Sequence, residues 1–129
     1  MKSEIMEKLL EGLDEFYAHR KEENGEVVRE TLPEHTRLTS EYFHQLWDRK
    51  NIREMTGRFQ KQIAGGISEE GKAFWEEIML GIPVFHDMGK LNPDFQSIHM
   101  KSGRIKKAKE LTEIIGTRHS LLSAVLYLD

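Results

Sequence analysis

The adjacent pair His86-Asp87 is the part of the sequence with the clearest chemical potential. An imidazole nitrogen and a carboxylate oxygen side by side can share one cation, and the residues around this pair are largely apolar. A carboxylate buried in such surroundings without a cation would be energetically costly. The dipeptide alone fits a metal site and a helix-end Asp beside a surface His equally well, so the decision depends on what else converges on it.

Two other histidines are predicted to face inward. His35 falls in a helix predicted to begin near Thr31, and it shares a face of that helix with Leu38, Thr39, Tyr42 and Leu46. His119 shares a face of the last predicted helix with Leu122, Ser123 and Leu126. Taken alone, His35 is better explained as a hydrogen-bonded core histidine than as a ligand. Taken together, His35, His86, Asp87 and His119 are expected to converge from three helices.

Ligands from facing helices are a common way of building a metal site in a helical bundle. Mixed imidazole and carboxylate ligation favours Mn²⁺, Fe²⁺, Co²⁺, Ni²⁺ or Zn²⁺, and Mg²⁺ is a weaker candidate because it prefers oxygen ligands. One such ion, or two bridged by Asp87, would lower the pKa of a bound water and polarise a phosphoryl oxygen. Lys90 offers a compact positive charge for a phosphate, with simple solvation as the alternative, and Gly89 would let the backbone turn tightly.

The remaining histidines are predicted to bind no metal. His19 would end the first helix, where a cation complements the helix dipole. His44 lies nine positions after His35, on the opposite and solvent-exposed face of the same helix. His99 is expected to be a surface residue.

The hydrophobic pattern predicts helices at 3–17, 31–49, 52–63, 68–83 and 117–128. Ser3, the capping box Thr31-x-x-Glu34 and Ser68 mark helix starts, and Pro83 should kink or end the fourth helix. The charged stretch 20–30, with its turn signal Asn24-Gly25, is predicted to be an exposed connection, and the last helix should lie deep in a core. No strand is predicted, so the expected class is all-α, a helical bundle.

Composition limits the possible functions. The 129 residues, 38% of them hydrophobic, predict a single domain spanning 1–129. With 19 Lys and Arg against 22 Asp and Glu, the chain is slightly acidic and would need a local basic patch to bind nucleic acid. The absence of cysteine excludes disulfides and thiol catalysis and fits the cytoplasm. Neither a signal peptide nor an apolar run of about 20 residues is present, so a soluble protein is expected.

Three motifs resemble those of a known family. The string His86-Asp87-Met88-Gly89-Lys90, followed by Asn92, Pro93, Phe95 and Gln96, resembles the signature of the HD nuclease domain of the CRISPR-associated helicase-nuclease. That family shows HD-x-GK, a short turn and then Phe-Gln. Its earlier His motif is matched by Leu32-Pro33-Glu34-His35-Thr36, and its later one by Arg118-His119-Ser120 with Ser123-Ala124. The matches span 32–124 in the order found in the family.

The resemblance implies an HD-type helical fold and a metal-dependent nuclease that degrades single-stranded DNA exposed by an RNA-guided surveillance complex. A helicase, as a domain of the same chain or as a separate subunit, would feed the strand to it. By the same resemblance His35, His86 and Asp87 would ligate a first metal, and Asp87 would bridge to a second held partly by His119. Asp87 and Lys90 would be catalytic, with Lys90 contacting the scissile phosphate.

One departure concerns the family's paired-histidine motif and distal Asp, neither of which occurs between Ser120 and the last residue, Asp129. The chain is therefore expected to be the N-terminal part of a longer domain or protein, and the alternative is a natural variant with an incomplete site. An incomplete site would bind metal weakly and cut poorly.

A dense basic run could serve a nucleic-acid backbone. It consists of Lys101, Arg104, Lys106, Lys107 and Lys109. A solvated loop explains these charges equally well. Two other functions stay open: an HD phosphohydrolase acting on nucleotides, and a helical docking module whose site is vestigial.

Overall fold

The computed structural model describes residues 3–63, 66–105 and 119–128. Its elements are α1 (Ser3–Leu10), β1 (Tyr17–Glu23), β2 (Glu26–Thr31), α2 (Leu32–Arg49), α3 (Ile52–Gln62), α4 (Glu69–Phe85), a 3₁₀ helix (Met88–Leu91), α5 (Pro93–Ile98) and α6 (His119–Leu128). The fold is mostly helical with one two-stranded sheet, and the expected helical, HD-like class is confirmed. None of the described helices is both long enough and apolar enough to cross a membrane.

The first predicted helix is wrong beyond Leu10, and the predicted absence of strands is wrong as well. Gly12 has a φ of 77°, a left-handed conformation in which an α-helix cannot continue. The stretch expected to be an exposed connection instead forms the antiparallel hairpin β1–β2. Asn24 and Gly25 both have positive φ, 52° and 81°, as a two-residue hairpin turn requires. The Asn-Gly signal was therefore a hairpin turn rather than an open loop.

A side chain from a distant helix fixes the start of the hairpin. The Tyr17 amide donates to Gln96 Oε1 at 3.0 Å, and Gln96 Nε2 donates to the Tyr17 carbonyl at 2.8 Å. The amide of the fully buried Gln96 thus satisfies both backbone groups of Tyr17 in the way a neighbouring strand would. The hairpin is tied to α5 by this pair of hydrogen bonds.

The second helix begins where it was predicted, at the capping box. The Glu34 amide donates to Thr31 Oγ1 at 3.3 Å, and Glu34 Oε2 accepts from the Thr31 amide at 3.0 Å. Two amides that the helix leaves unpaired are therefore satisfied, and the direction in which α2 leaves the hairpin is defined.

The face of α2 that was expected to be buried is largely exposed. Leu38, Tyr42 and Leu46 are 45%, 58% and 49% exposed. The side chains that α2 does bury lie on a neighbouring face, and they are Leu32, Pro33, Thr36, Ser40 and Trp47. The apolar spacing predicted one face of α2 to be buried, but α2 packs against α3, α4 and the hairpin, and the side chains it buries lie on the neighbouring face.

The core near the site is small. It is formed by Leu10, Val84 and Met88, with Met6, Leu13, Phe85 and Leu91 packed around them. The fourth helix runs through Pro83 and ends two residues later, at Phe85. The last helix packs against the 3₁₀ helix and α4, yet Ala124 is exposed and Leu126 is 43% exposed, so the expected deep burial of α6 is wrong at these positions.

Replacing Thr31 by Ala should destabilise the protein by about 0.5 to 2 kcal/mol, because the cap of α2 loses its hydroxyl acceptor. The free energy of unfolding measured in urea would show the loss. Thr31→Ser retains the hydroxyl and should stay close to the parent. Equal losses in both variants would show that the Thr31 hydroxyl contributes nothing to stability.

Candidate metal centre

The imidazole of His86 is oriented by the end of α4. His86 follows the last helical residue, and its Nδ1 lies 2.7 Å from the Pro83 carbonyl oxygen. A carbonyl can only accept, so Nδ1 carries a hydrogen, and in the neutral ring the lone pair is on Nε2. That Nε2 lies 3.2 Å from Asp87 Oδ2.

His35, in the first turn of α2, approaches the same carboxylate oxygen from another side. Its Nε2 lies 3.0 Å from Asp87 Oδ2, and its Nδ1 lies 3.1 Å from Glu30 Oε2. The rings of His35 and His86 have centroids 5.6 Å apart. Two imidazole nitrogens on different helices therefore point at one oxygen atom.

Asp87 is 6% exposed, and four side-chain nitrogen atoms lie within 4 Å of its carboxylate oxygens. Lys90 Nζ lies 2.8 Å from Oδ2, and His119 Nε2 lies 3.8 Å from Oδ1. Burial by itself would raise the pKa of Asp87, but hydrogen bonds from His86 and Lys90 outweigh it and hold that pKa well below its usual range. The carboxylate is therefore ionised at neutral pH.

Lys90 is not the solvated lysine offered as an alternative, since its exposure is only 4%. It belongs to the 3₁₀ helix, and its carbonyl accepts a hydrogen bond from Gln96 Nε2 at 2.8 Å. The hydrogen-bonded amide that anchors the hairpin thus also anchors the backbone of this lysine. The ammonium is held next to Asp87 by the local fold.

His119 reaches the site because Gly89 lets α6 come close. A Cβ on Gly89 would overlap the carbonyl oxygen of His119 and lie 2.8 Å from the Ser123 amide nitrogen. The Gly89 amide donates to Ser123 Oγ at 2.7 Å. Gly89 lies in the 3₁₀ helix, and its φ is outside the left-handed region, so the backbone conformation there does not by itself require glycine. Its role is close approach of two backbones.

The donor atoms fit a divalent cation. One donor atom from each of His35, His86 and Asp87 lies within 4.8 Å of the other two. With their hydrogens on Nδ1, His35 and His86 would direct two lone pairs at an anionic oxygen, which is favourable only with a positive charge between them. The hydrogen bond to Asp87 raises the pKa of His86, because a proton on Nε2 also places positive charge beside that carboxylate. Burial and the nearby Lys90 lower the pKa of His119, which keeps its ring neutral and able to ligate.

Two residues beside the site were missed from the sequence. His19 lies in β1, not at a helix end, and its ring packs edge-on against His35 with centroids 4.5 Å apart. Glu30 is its partner across the hairpin. The sequence did contain a signal, because His19 and Glu30 are equally distant from the Asn24-Gly25 turn, and a two-residue turn pairs such residues.

The other candidates lie elsewhere or outside the described residues. His44, expected to be exposed, is half-buried and its Nδ1 lies 2.7 Å from the Ser40 carbonyl. His99 is exposed, as expected. Of the basic run, Lys101 and Arg104 are exposed, and Arg104 lies 3.5 Å from Glu15. Lys106, Lys107 and Lys109 lie outside the described residues.

A helical domain in which an adjacent His and Asp meet a histidine from another helix has the arrangement of an HD-type domain. A family model described as "Cas3, HD domain" matches residues 18–128, and the chain belongs to that family. Membership implies a metal-dependent nuclease or phosphohydrolase role in a CRISPR system. No curated protein and no solved structure gives a significant match.

Replacing Gly89 by Ala should destabilise the protein by at least about 1 to 3 kcal/mol, because the new methyl group displaces the start of α6 and with it His119. Denaturant unfolding would measure the loss. The matched control is Gly57→Ala, where a Cβ in α3 would meet nothing within 4 Å. That variant should be unchanged or up to about 1 kcal/mol more stable. A Gly89→Ala protein as stable as the parent would contradict the close packing of α6.

Proposed function

We propose that this chain forms part of a nuclease that hydrolyses phosphodiester bonds of single-stranded DNA in CRISPR interference. His35, His86 and Asp87 would hold a divalent transition metal ion, and Asp87 with His119 would hold part of a second. A cation in such a site supplies activation of water and polarisation of a phosphoryl oxygen. The observation that carries the proposal is the pair of Nε2 atoms at 3.0 and 3.2 Å from the same buried oxygen of Asp87.

Lys90 would act on the substrate rather than on the metal. Its ammonium is buried and lies 2.8 Å from Asp87 Oδ2, at the edge of the proposed centre. A phosphodiester brings one negative charge to this place, and a fixed ammonium stabilises the charge that grows on the phosphoryl oxygens during hydrolysis. The residue would therefore be catalytic together with Asp87.

The proposed path of the DNA strand follows exposed positive charges. Lys101 and Arg104 are exposed cations that follow α5, and Lys106 and Lys107 continue the run along the sequence. Cations at this spacing would bind a phosphate backbone with an affinity that falls as salt rises. The partners proposed are a helicase domain or subunit and an RNA-guided surveillance complex, in the cytoplasm.

Replacing Asp87 by Asn should weaken Mn²⁺ or Ni²⁺ binding more than about 100-fold and abolish cutting, because the central anionic ligand is lost. Calorimetry would measure metal binding. Hydrolysis would be measured separately with labelled single-stranded DNA, with mononucleotides and with cyclic nucleotides as substrates. Asp48→Asn, on the exposed end of α2, is the matched control and should behave like the parent. Turnover of nucleotides without DNA cutting would favour a nucleotide phosphohydrolase. Failure of the parent to bind metal would favour the vestigial docking module.

Replacing Lys90 by Gln should separate substrate chemistry from metal binding. Metal affinity should stay equal or rise, since a competing positive charge 2.8 Å from Asp87 Oδ2 is removed. The cutting rate at saturating metal should fall about 100-fold or more, as when one preorganised electrostatic partner is lost. Lys61→Gln, an exposed change in α3, serves as the control. Loss of metal binding in Lys90→Gln, with its fold intact, would contradict the assigned role.

A further inference from the structure

The outer nitrogen of His35 faces a carboxylate that the proposed hydrolysis does not use. Glu30 Oε2 lies 3.1 Å from His35 Nδ1, and both side chains are partly buried. On the other side of the ring, Nε2 lies 3.0 Å from Asp87 Oδ2. His35 therefore stands between two carboxylates, one in the proposed metal centre and one on the hairpin.

A neutral imidazole has only one N–H, so these two contacts are not equivalent. With the hydrogen on Nδ1, His35 donates to Glu30 and keeps a lone pair on Nε2 for a cation. With the hydrogen on Nε2, it donates to Asp87 and directs the Nδ1 lone pair at the Glu30 carboxylate. The Thr39 hydroxyl, 3.4 Å from Nε2, can donate or accept and decides nothing. Glu30 thus favours the form of His35 that can ligate.

The same site contains a comparable arrangement. His86 has its hydrogen fixed on Nδ1 by the Pro83 carbonyl, 2.7 Å away, and directs Nε2 at Asp87. At His35 the acceptor is an anionic side chain instead of a carbonyl. A carboxylate acceptor fixes the tautomer more strongly and makes the opposite nitrogen a better electron donor to a cation.

The hairpin holds Glu30 firmly enough for this task. Glu30 is one residue before the N-cap of α2, and the Leu32 amide donates to the Phe16 carbonyl at 2.8 Å. The register places His19 across from Glu30, and the His19 ring packs edge-on against His35. The Glu30 carboxylate is therefore held against His35 by the strand and by the start of the helix.

We propose that Glu30 is a positioning residue of the metal centre, which fixes the hydrogen of His35 on Nδ1 and leaves Nε2 to bind the cation. The β1–β2 hairpin then contributes a residue that positions a metal ligand. This inference rests on the proposed function. Its rival is a separate cation site formed by His19, Glu30 and His35, whose donor atoms also lie within 4.8 Å of one another. A cation there would use Nδ1 of His35, the nitrogen 3.1 Å from Glu30. The two arrangements then need opposite tautomers of neutral His35, so they exclude each other.

The first experiment measures the tautomer directly by nitrogen-15 NMR of the histidine rings in the metal-free parent chain. Without a cation, Glu30 and Asp87 compete for the single hydrogen of neutral His35. We expect Glu30→Ala to shift the tautomer population from Nδ1–H towards Nε2–H. An unchanged population in Glu30→Ala would overturn the proposal. This readout does not depend on tight metal binding, and a merely structural role of Glu30 would not change the tautomer of a ring in a folded protein.

The second experiment measures Mn²⁺ and Ni²⁺ affinity by calorimetry. Glu30→Ala should weaken binding about 10- to 100-fold, and Glu30→Gln, which keeps a neutral acceptor, should lose less. Glu26→Ala, an exposed change in the same strand, is the matched control. His19→Gln should leave the affinity unchanged. An equal loss in His19→Gln and Glu30→Ala would establish the rival site and overturn the proposal.

Asp87→Asn separates this inference from the proposed function. If Asp87→Asn abolishes metal binding and Glu30→Ala has no effect, the positioning role is wrong and the metal centre stands. If neither change affects metal binding, the centre itself is wrong and the positioning role falls with it. Circular dichroism of each variant checks that the fold is retained.

Discussion

The buried carboxylate of Asp87 organises this part of the molecule. The Asp87 carboxylate is almost removed from water, and an unpaired charge in that position would be costly enough to unfold a small domain. Three structural elements bring positive charge or nitrogen atoms to it: α2 with His35, the end of α4 with His86, and the 3₁₀ helix with Lys90. A fourth, α6, brings His119 to its other oxygen.

Backbone details far from the carboxylate determine whether these groups can meet. Gly89 has no side chain where α6 crosses it, so His119 and Ser123 can approach the 3₁₀ helix. The buried amide of Gln96 bonds to the backbone of Tyr17 and of Lys90, so it links the hairpin to the site. The geometry of the centre therefore depends on hydrogen bonds and close approach as much as on apolar packing.

The family assignment and the site geometry answer different questions. The match over residues 18–128 places the chain in the Cas3 HD domain family. The geometry explains how such a domain can prepare ligands before a cation arrives, since His86 has its hydrogen fixed on the nitrogen facing away from Asp87. The ring nitrogen of His86 that faces away from Asp87 is thus paired with a backbone carbonyl even without a cation.

The sequence by itself determined what depends on neighbours along the chain: the adjacency of His86 and Asp87, the capping box that starts α2, and most helix positions. It also contained the Asn24-Gly25 turn, which fixes which residues pair across the hairpin. Only the tertiary structure decided which face of α2 is buried, why position 89 is glycine, and that His19 and Glu30 flank His35. The physical reason is that burial and side-chain partners are set by elements that pack from distant parts of the chain, and no local pattern specifies them.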